Sequence, residues 1–157
     1  MRLVTNEACS SVAKNLAHVR ETIATAATNA GRQSTEIKLI AVSKTHSVPA
    51  IEAAVAAGQT VFGESTVQEA VPKIERLAAH NLEWHFIGHL QSNKARLIPK
   101  NFSWVHSVDS LKLAERLSRT AQEKDATLNA LIEVNITKDP GKHGVLLEDL
   151  FALIESC

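Results

Sequence analysis

Five short apolar runs begin near Lys38, Thr60, Glu83, Trp104 and Ala130, at intervals of 22, 23, 21 and 26 residues, with a helix-capable stretch between each pair. A period of that length accommodates one strand and one crossover helix, so the chain reads as a succession of βα units. Parallel strands joined by single helices wind in one hand, which leaves a (β/α)8 barrel or an open doubly wound sheet. The turn after the first run, Ser43-Lys44-Thr45-His46, holds no glycine, against the fingerprint of a dinucleotide-binding open sheet. Polar residues instead recur at the C-terminal end of every run. They are Lys44, then Gly63-Glu64-Ser65, Gly88-His89-Leu90-Gln91, Ser107 with Asp109, and Asn135 with the Lys142-His143-Gly144 loop. A barrel keeps its site at that end. The expected fold is therefore α/β, a (β/α)8 TIM-type barrel, incomplete here with about five parallel strands and an extra N-terminal helix.

The helices follow from periodicity and punctuation. Val12, Leu16, Val19, Ile23, Ala27 and Ala30 recur at gaps of three and four on one face, and Gly31 supplies a left-handed cap. Ser47-Val48-Pro49 opens the next helix and Gly58 closes it. Ser65-x-x-Gln68 forms a capping box for the one after, and Pro72 then either kinks that helix or marks a broken start. Gln91 to Pro99 gives at most a short helix, Ser110 to Lys124 a longer amphipathic one, and Val145 to Cys157 begins another. Asp109 reads as a helix N-cap, and Trp84 and Trp104 as core anchors.

With 157 residues, 45% hydrophobic and 22% charged, the whole of 1–157 suits one globular domain. Seventeen basic residues balance seventeen acidic ones, so no overall field favours nucleic acid or an anionic membrane. The two cysteines, Cys9 and Cys157, form neither zinc-ligand spacing nor a disulfide framework. The N-terminus lacks the apolar core of a signal peptide, and no run has the roughly 20 apolar residues of a membrane span. A cytoplasmic protein is expected.

Lys44 is the residue that suggests chemistry. Lys38 to Val42 is a continuous apolar run without clear alternation, suited to a strand covered on both faces. A lysine at its end can be partly desolvated, which lowers its pKa toward the neutral amine that a Schiff base requires. The competing reading has Lys44 leave the core and snorkel to water.

The segments AVSKTH, FGESTVQEA, WHFIGHLQSNK and HSVDS, and Asn135-Ile136 followed by GKHGV, resemble successive motifs of the pyridoxal phosphate homeostasis protein family. The resemblance runs from about Leu39 to the C-terminus. It implies a fold-type III barrel that binds pyridoxal 5'-phosphate, with Lys44 holding the cofactor as an internal aldimine. Ser65, His89 and Asn135 then line the cofactor pocket, and Lys142 sits where it could meet a phosphate or carboxylate. The implied role is a carrier or regulator of cellular pyridoxal phosphate, and of amino-acid and keto-acid balance, without established turnover. PLP-dependent apo-enzymes are the implied partners, and a monomer the implied state at full length.

Two departures qualify the resemblance. The family's second-strand motif is often GENY, with the asparagine close to the cofactor, whereas this chain has Gly63-Glu64-Ser65-Thr66. Serine reaches less far than an amide, which makes Ser65 a weakened or water-bridged contact. Family members also run on for several βα units that carry the phosphate cradle and the arginine facing the pyridine nitrogen, so the chain is expected to be a fragment with unpaired strand edges. An amino-acid racemase of the same barrel type is the alternative. It needs a second base, usually tyrosine, and the chain has none, with His89 as the substitute. A third reading is an interaction module that assembles through an exposed edge.

Overall fold

The computed structural model describes residues 6–157, with side chains from residue 11 onward. The side chain of Cys9 and the first five residues of the N-terminal stretch read for a signal peptide therefore lie outside what is described. No described helix is long and apolar enough to cross a membrane.

Helix α1 (Asn6–Asn29) precedes the sheet and ends as expected, with Gly31 at φ 68° and the Arg32 N–H donating to the Ala27 carbonyl. Five strands follow: β1 (Ala41–Val42), β2 (Val61–Glu64), β3 (Glu83–Phe86), β4 (Trp104–Val108) and β5 (Asn129–Ile132). They form one parallel sheet in sequential order. Between them run α2 (Val48–Ala56), α3 (Val67–Arg76), a 3-10 turn Ser92–Leu97 leading into α4 (Ile98–Asn101), and α5 (Leu111–Glu123). Sequential order with one-handed crossovers is the barrel arrangement, here with five of the strands such a barrel contains.

Strand alternation divides the sheet into two faces. Phe62, Trp84, Phe86, Val105 and Val108 turn outward and pack against Ile51 and Ala54 of α2, Val67 and Ala70 of α3, and Leu113 and Leu117 of α5. Each large apolar side chain buried there contributes about 1.5–3 kcal/mol. Trp84 is the expected core anchor, against Phe62 at 5.4 Å between ring centroids. Trp104 is not. It lies on the inner face, partly exposed, with its ring stacked on His85.

Several boundaries depart from expectation. Only Ala41 and Val42 of the Lys38–Val42 run pair as a strand, and Val42 is 49% exposed rather than covered. The reason is position: β1 is an outer strand and its inner face has no strand opposite. The N-cap of α3 is Thr66, without a side-chain cap, so the Ser65–Gln68 capping box does not form, and the helix continues through Pro72. Ser110, not Asp109, occupies the N-cap position of α5.

Val145 does not begin a helix. Val145–Leu146 is a strand, β7, parallel to β6 (Val134–Asn135), and α6 spans Leu150–Ser156. Gly144 causes this, at φ 110°, where a Cβ would stand 2.7 Å from the Asn135 nitrogen. The chain can therefore close on β6, and the Val145 N–H reaches the Glu133 carbonyl at 2.8 Å.

Candidate functional site

The strand ends converge on one rim. After β1 the backbone leaves the sheet at Ser43, which is buried, and Lys44 and Thr45 make an exposed turn. Lys44 is exposed, so the desolvation expected of its amine is not supplied by these residues.

What the structure does supply is a fixed backbone. The ammonium of Lys73, on α3, donates to the Ser43 carbonyl at 2.8 Å, to Glu64 Oε1 at 2.7 Å and to Glu69 Oε1 at 2.7 Å. Ser43 Oγ also donates to Glu64 Oε1, at 2.7 Å, and the Thr45 N–H donates to Glu69 Oε1 at 2.5 Å. Glu64 is fully buried, and its Oε2 has no hydrogen-bond partner among the described residues. Thr45 has φ 65°, a conformation that a β-branched residue adopts only at a cost on the order of 1–3 kcal/mol. The tether from Glu69 offsets that cost.

The network's electrostatics agree with its geometry. The Glu69 carboxyl is held below its usual range by the Lys73 hydrogen bond, and next by the Thr45 N–H. Burial is the largest single influence on Lys73 and pulls its pKa down. The hydrogen bonds and charges of Glu64 and Glu69 outweigh it and leave the ammonium above its ordinary value. Lys73 therefore stays charged through the neutral range.

A glycine brings the backbone of Ser65 against Gly88, the residue before His89. A Cβ at Gly88 would lie 2.1 Å from the Ser65 carbonyl oxygen, so only glycine lets the ends of β2 and β3 approach this closely. His89 stacks on His143, with ring centroids 3.5 Å apart and planes 9° from parallel. Its Nδ1 lies 3.9 Å from Asp109 Oδ2. The three residues offer ligand atoms within 4.8 Å of one another. Stacked rings, however, keep their in-plane lone pairs in two nearly parallel planes that do not meet at one point, so this pair presents two hydrogen-bonding edges rather than a convergent chelate.

Asn135 is buried and its amide is turned on its own loop. Nδ2 donates to the Asp139 carbonyl at 2.8 Å and to the Lys142 carbonyl at 3.4 Å, while Oδ1 accepts from the Asp139 N–H at 3.3 Å. Asn135 thus shapes the loop that carries Lys142 and His143. Lys142 itself is exposed, 4.0 Å from Asp139.

Below the rim the inner face carries a polar chain that sequence reading did not find. Lys38 Nζ donates to Glu83 Oε1 at 2.8 Å, His85 Nε2 lies 2.7 Å from the same oxygen, and His85 Nδ1 lies 2.8 Å from His106 Nε2. Glu83 is held below the usual carboxylate range, first by the Lys38 hydrogen bond. Burial depresses both imidazoles, and only in His85 does Glu83 oppose it. The His85–Glu83 contact is therefore a hydrogen bond from a neutral ring. With Nε2–H given to Glu83, His85 Nδ1 must accept from His106. Alternation could have placed Glu83 and His85 on one face, but their partners come from Lys38 and His106, 45 and 21 residues away.

The alanine racemase N-terminal domain family matches residues 14–157. The chain belongs to that family. It is similar to the protein of Escherichia coli strain K12 named "Pyridoxal phosphate homeostasis protein". The two are 47% identical over 144 residues, covering 90% of this chain and 62% of the relative. The protein of that name from Pseudomonas aeruginosa is 46% identical over 147 residues, covering 94% and 64%. The chain thus spans a little over three-fifths of these relatives' length. PipY of Synechococcus elongatus PCC7942, solved without PLP, superimposes with a TM-score of 0.82 at 42% identity, covering 92% of this chain and 63% of PipY. PipY solved with PLP bound gives 0.79 at 41% identity. Alanine racemase from Bartonella henselae, at 14% identity and a TM-score of 0.64, shares the alanine racemase barrel fold alone.

Proposed function

We propose that this chain is the N-terminal part of a barrel, residues 1–157 forming one unit, that binds pyridoxal 5'-phosphate through Lys44 and takes part in its intracellular homeostasis. The observation that carries the reading is the Lys44 turn, an accessible amine at the barrel rim whose neighbouring peptide groups are both anchored. Relatives named for pyridoxal phosphate homeostasis, and the PLP-bound structure of PipY, support it.

The residues present fit the aldehyde end of such a cofactor. In this reading Lys44 supplies the amine, Ser65 and His89, at the ends of the next two strands, supply hydrogen-bonding groups, and Lys142 supplies a cation on a loop that Asn135 holds in shape. Lys44 would hold the cofactor through its amine, and the cofactor would supply the electrophilic aldehyde that such an amine captures. The role is binding and exchange, in the cytoplasm, with PLP-dependent apo-enzymes as recipients and without turnover of its own. A racemase reading is weaker, because the chain has no tyrosine to serve as second base.

Borohydride reduction in the presence of pyridoxal phosphate, followed by peptide mapping, tests the reading. The label is expected on Lys44 in preference to the other lysines. A label spread evenly over the surface lysines would overturn it.

A further inference from the structure

We infer that Glu69 and Lys73 are positioning residues for Lys44, acting from α3 through the two peptide groups that flank it. The inference rests on the proposed role of Lys44 as the cofactor-binding amine and adds to it the device that presents that amine.

The Ser43 carbonyl immediately precedes Lys44 and the Thr45 N–H immediately follows it. The first accepts from Lys73 at 2.8 Å and the second donates to Glu69 at 2.5 Å. Lys73 and Glu69 are themselves joined at 2.7 Å and stand four residues apart on one helix. Both tethers therefore end on a single rigid element, anchored from below by the buried Glu64. Core formation alone does not call for this arrangement. Lys73 is already paired with Glu64 in the core, and Glu69 is partly exposed, free to reach solvent. It is instead committed to the one turn residue that sits in the left-handed region. A left-handed Thr45 changes the direction of the chain directly after Lys44, so releasing it re-aims the lysine stem. Reactivity depends steeply on such aim, since displacement of a reacting group by about 1 Å can cost on the order of a hundredfold in rate.

The test uses the full chain, Glu69→Ala and Glu69→Gln. Alanine removes the acceptor of the Thr45 N–H and leaves the Glu64–Lys73 pair intact, so the fold is retained and is checked by its urea midpoint. Glutamine keeps an oxygen acceptor. The rate at which Lys44 takes up pyridoxal phosphate, read by borohydride trapping and mapping, is expected to fall about tenfold or more in Glu69→Ala and to recover within about threefold in Glu69→Gln. Amide exchange in the cofactor-free chain gives a second readout, with Thr45 exchanging about tenfold faster or more in Glu69→Ala. An unchanged rate of Lys44 labelling in Glu69→Ala would overturn the inference. Labelling that is the same in the parent and in Lys44→Ala would overturn the cofactor reading beneath it. In that event, unchanged Thr45 exchange in Glu69→Ala would overturn the positioning of the turn as well.

Discussion

The ammonium of Lys73 donates to the carbonyl oxygen of Ser43 at 2.8 Å, one residue before Lys44. The same ammonium neutralises Glu64, which is fully buried between β2 and α3. Removing one partner of a buried pair leaves the other charge without compensation, and that loss exceeds what the pair contributes as a whole. Lys73→Met is expected to destabilise the fold by about 3–5 kcal/mol, seen as a lower urea midpoint. Glu64→Gln added to Lys73→Met should restore part of it. A double variant no more stable than Lys73→Met would show that the stranded carboxylate is not the cause.

Gly88 is predicted to tolerate no side chain. An added Cβ would meet the Ser65 carbonyl oxygen at 2.1 Å, and that atom belongs to backbone that cannot rotate away. Gly88→Ala should cost about 1–3 kcal/mol by forcing the ends of β2 and β3 apart. Thermal melting measures it, and an unchanged midpoint would mean the strand ends separate freely.

Acid is predicted to destabilise the chain through its inner histidines. His85 and His106 have pKa values depressed below their ordinary 6.5 by burial, so in the folded state they resist protonation. Between their folded values and 6.5 the unfolded chain binds more protons, and stability falls as pH falls through that window. Glu69 and Glu83, held below 4.5, add a further loss under that pH as their carboxylates are protonated. Urea midpoints measured from pH 7.5 downward should show the first decline near about 6.5, and it should be shallower in His106→Gln.

Arg20 is predicted to hold α1 against the end of α2. Its guanidinium donates to the Ala57 carbonyl at 2.8 Å, the Gly58 carbonyl at 2.9 Å and Gln59 Oε1 at 3.1 Å, closing the C-terminal end of α2. Arg20→Met keeps the stem and removes these bonds, at an expected cost of about 1–2 kcal/mol. Equal urea midpoints for Arg20→Met and the parent chain would contradict it.

The βα succession was legible in the sequence because each strand brings its own apolar run and each helix its own period, and all five sheet strands lie where the runs place them. Local conflicts were harder to read. Gly144 sends the chain into β7 before α6 can begin, a choice made by contact with Asn135 rather than by the apolar spacing after Val145. Lys44 could be named from its motif, and its exposure matches the competing reading in which it leaves the core for water rather than the desolvated one. The Glu64–Lys73–Glu69 network was the least visible part. Glu69 and Lys73 have the spacing of an ordinary surface helix pair, and nothing in the sequence marks Lys73 as buried.

The most direct measurement is the absorbance of the purified chain titrated with pyridoxal phosphate, beside Lys44→Ala. A band near about 420 nm that survives dialysis in the parent and is missing from Lys44→Ala is the predicted result. A band of equal size in both would contradict it, and would mean that the barrel rim does not select Lys44 from the other exposed amines of the chain.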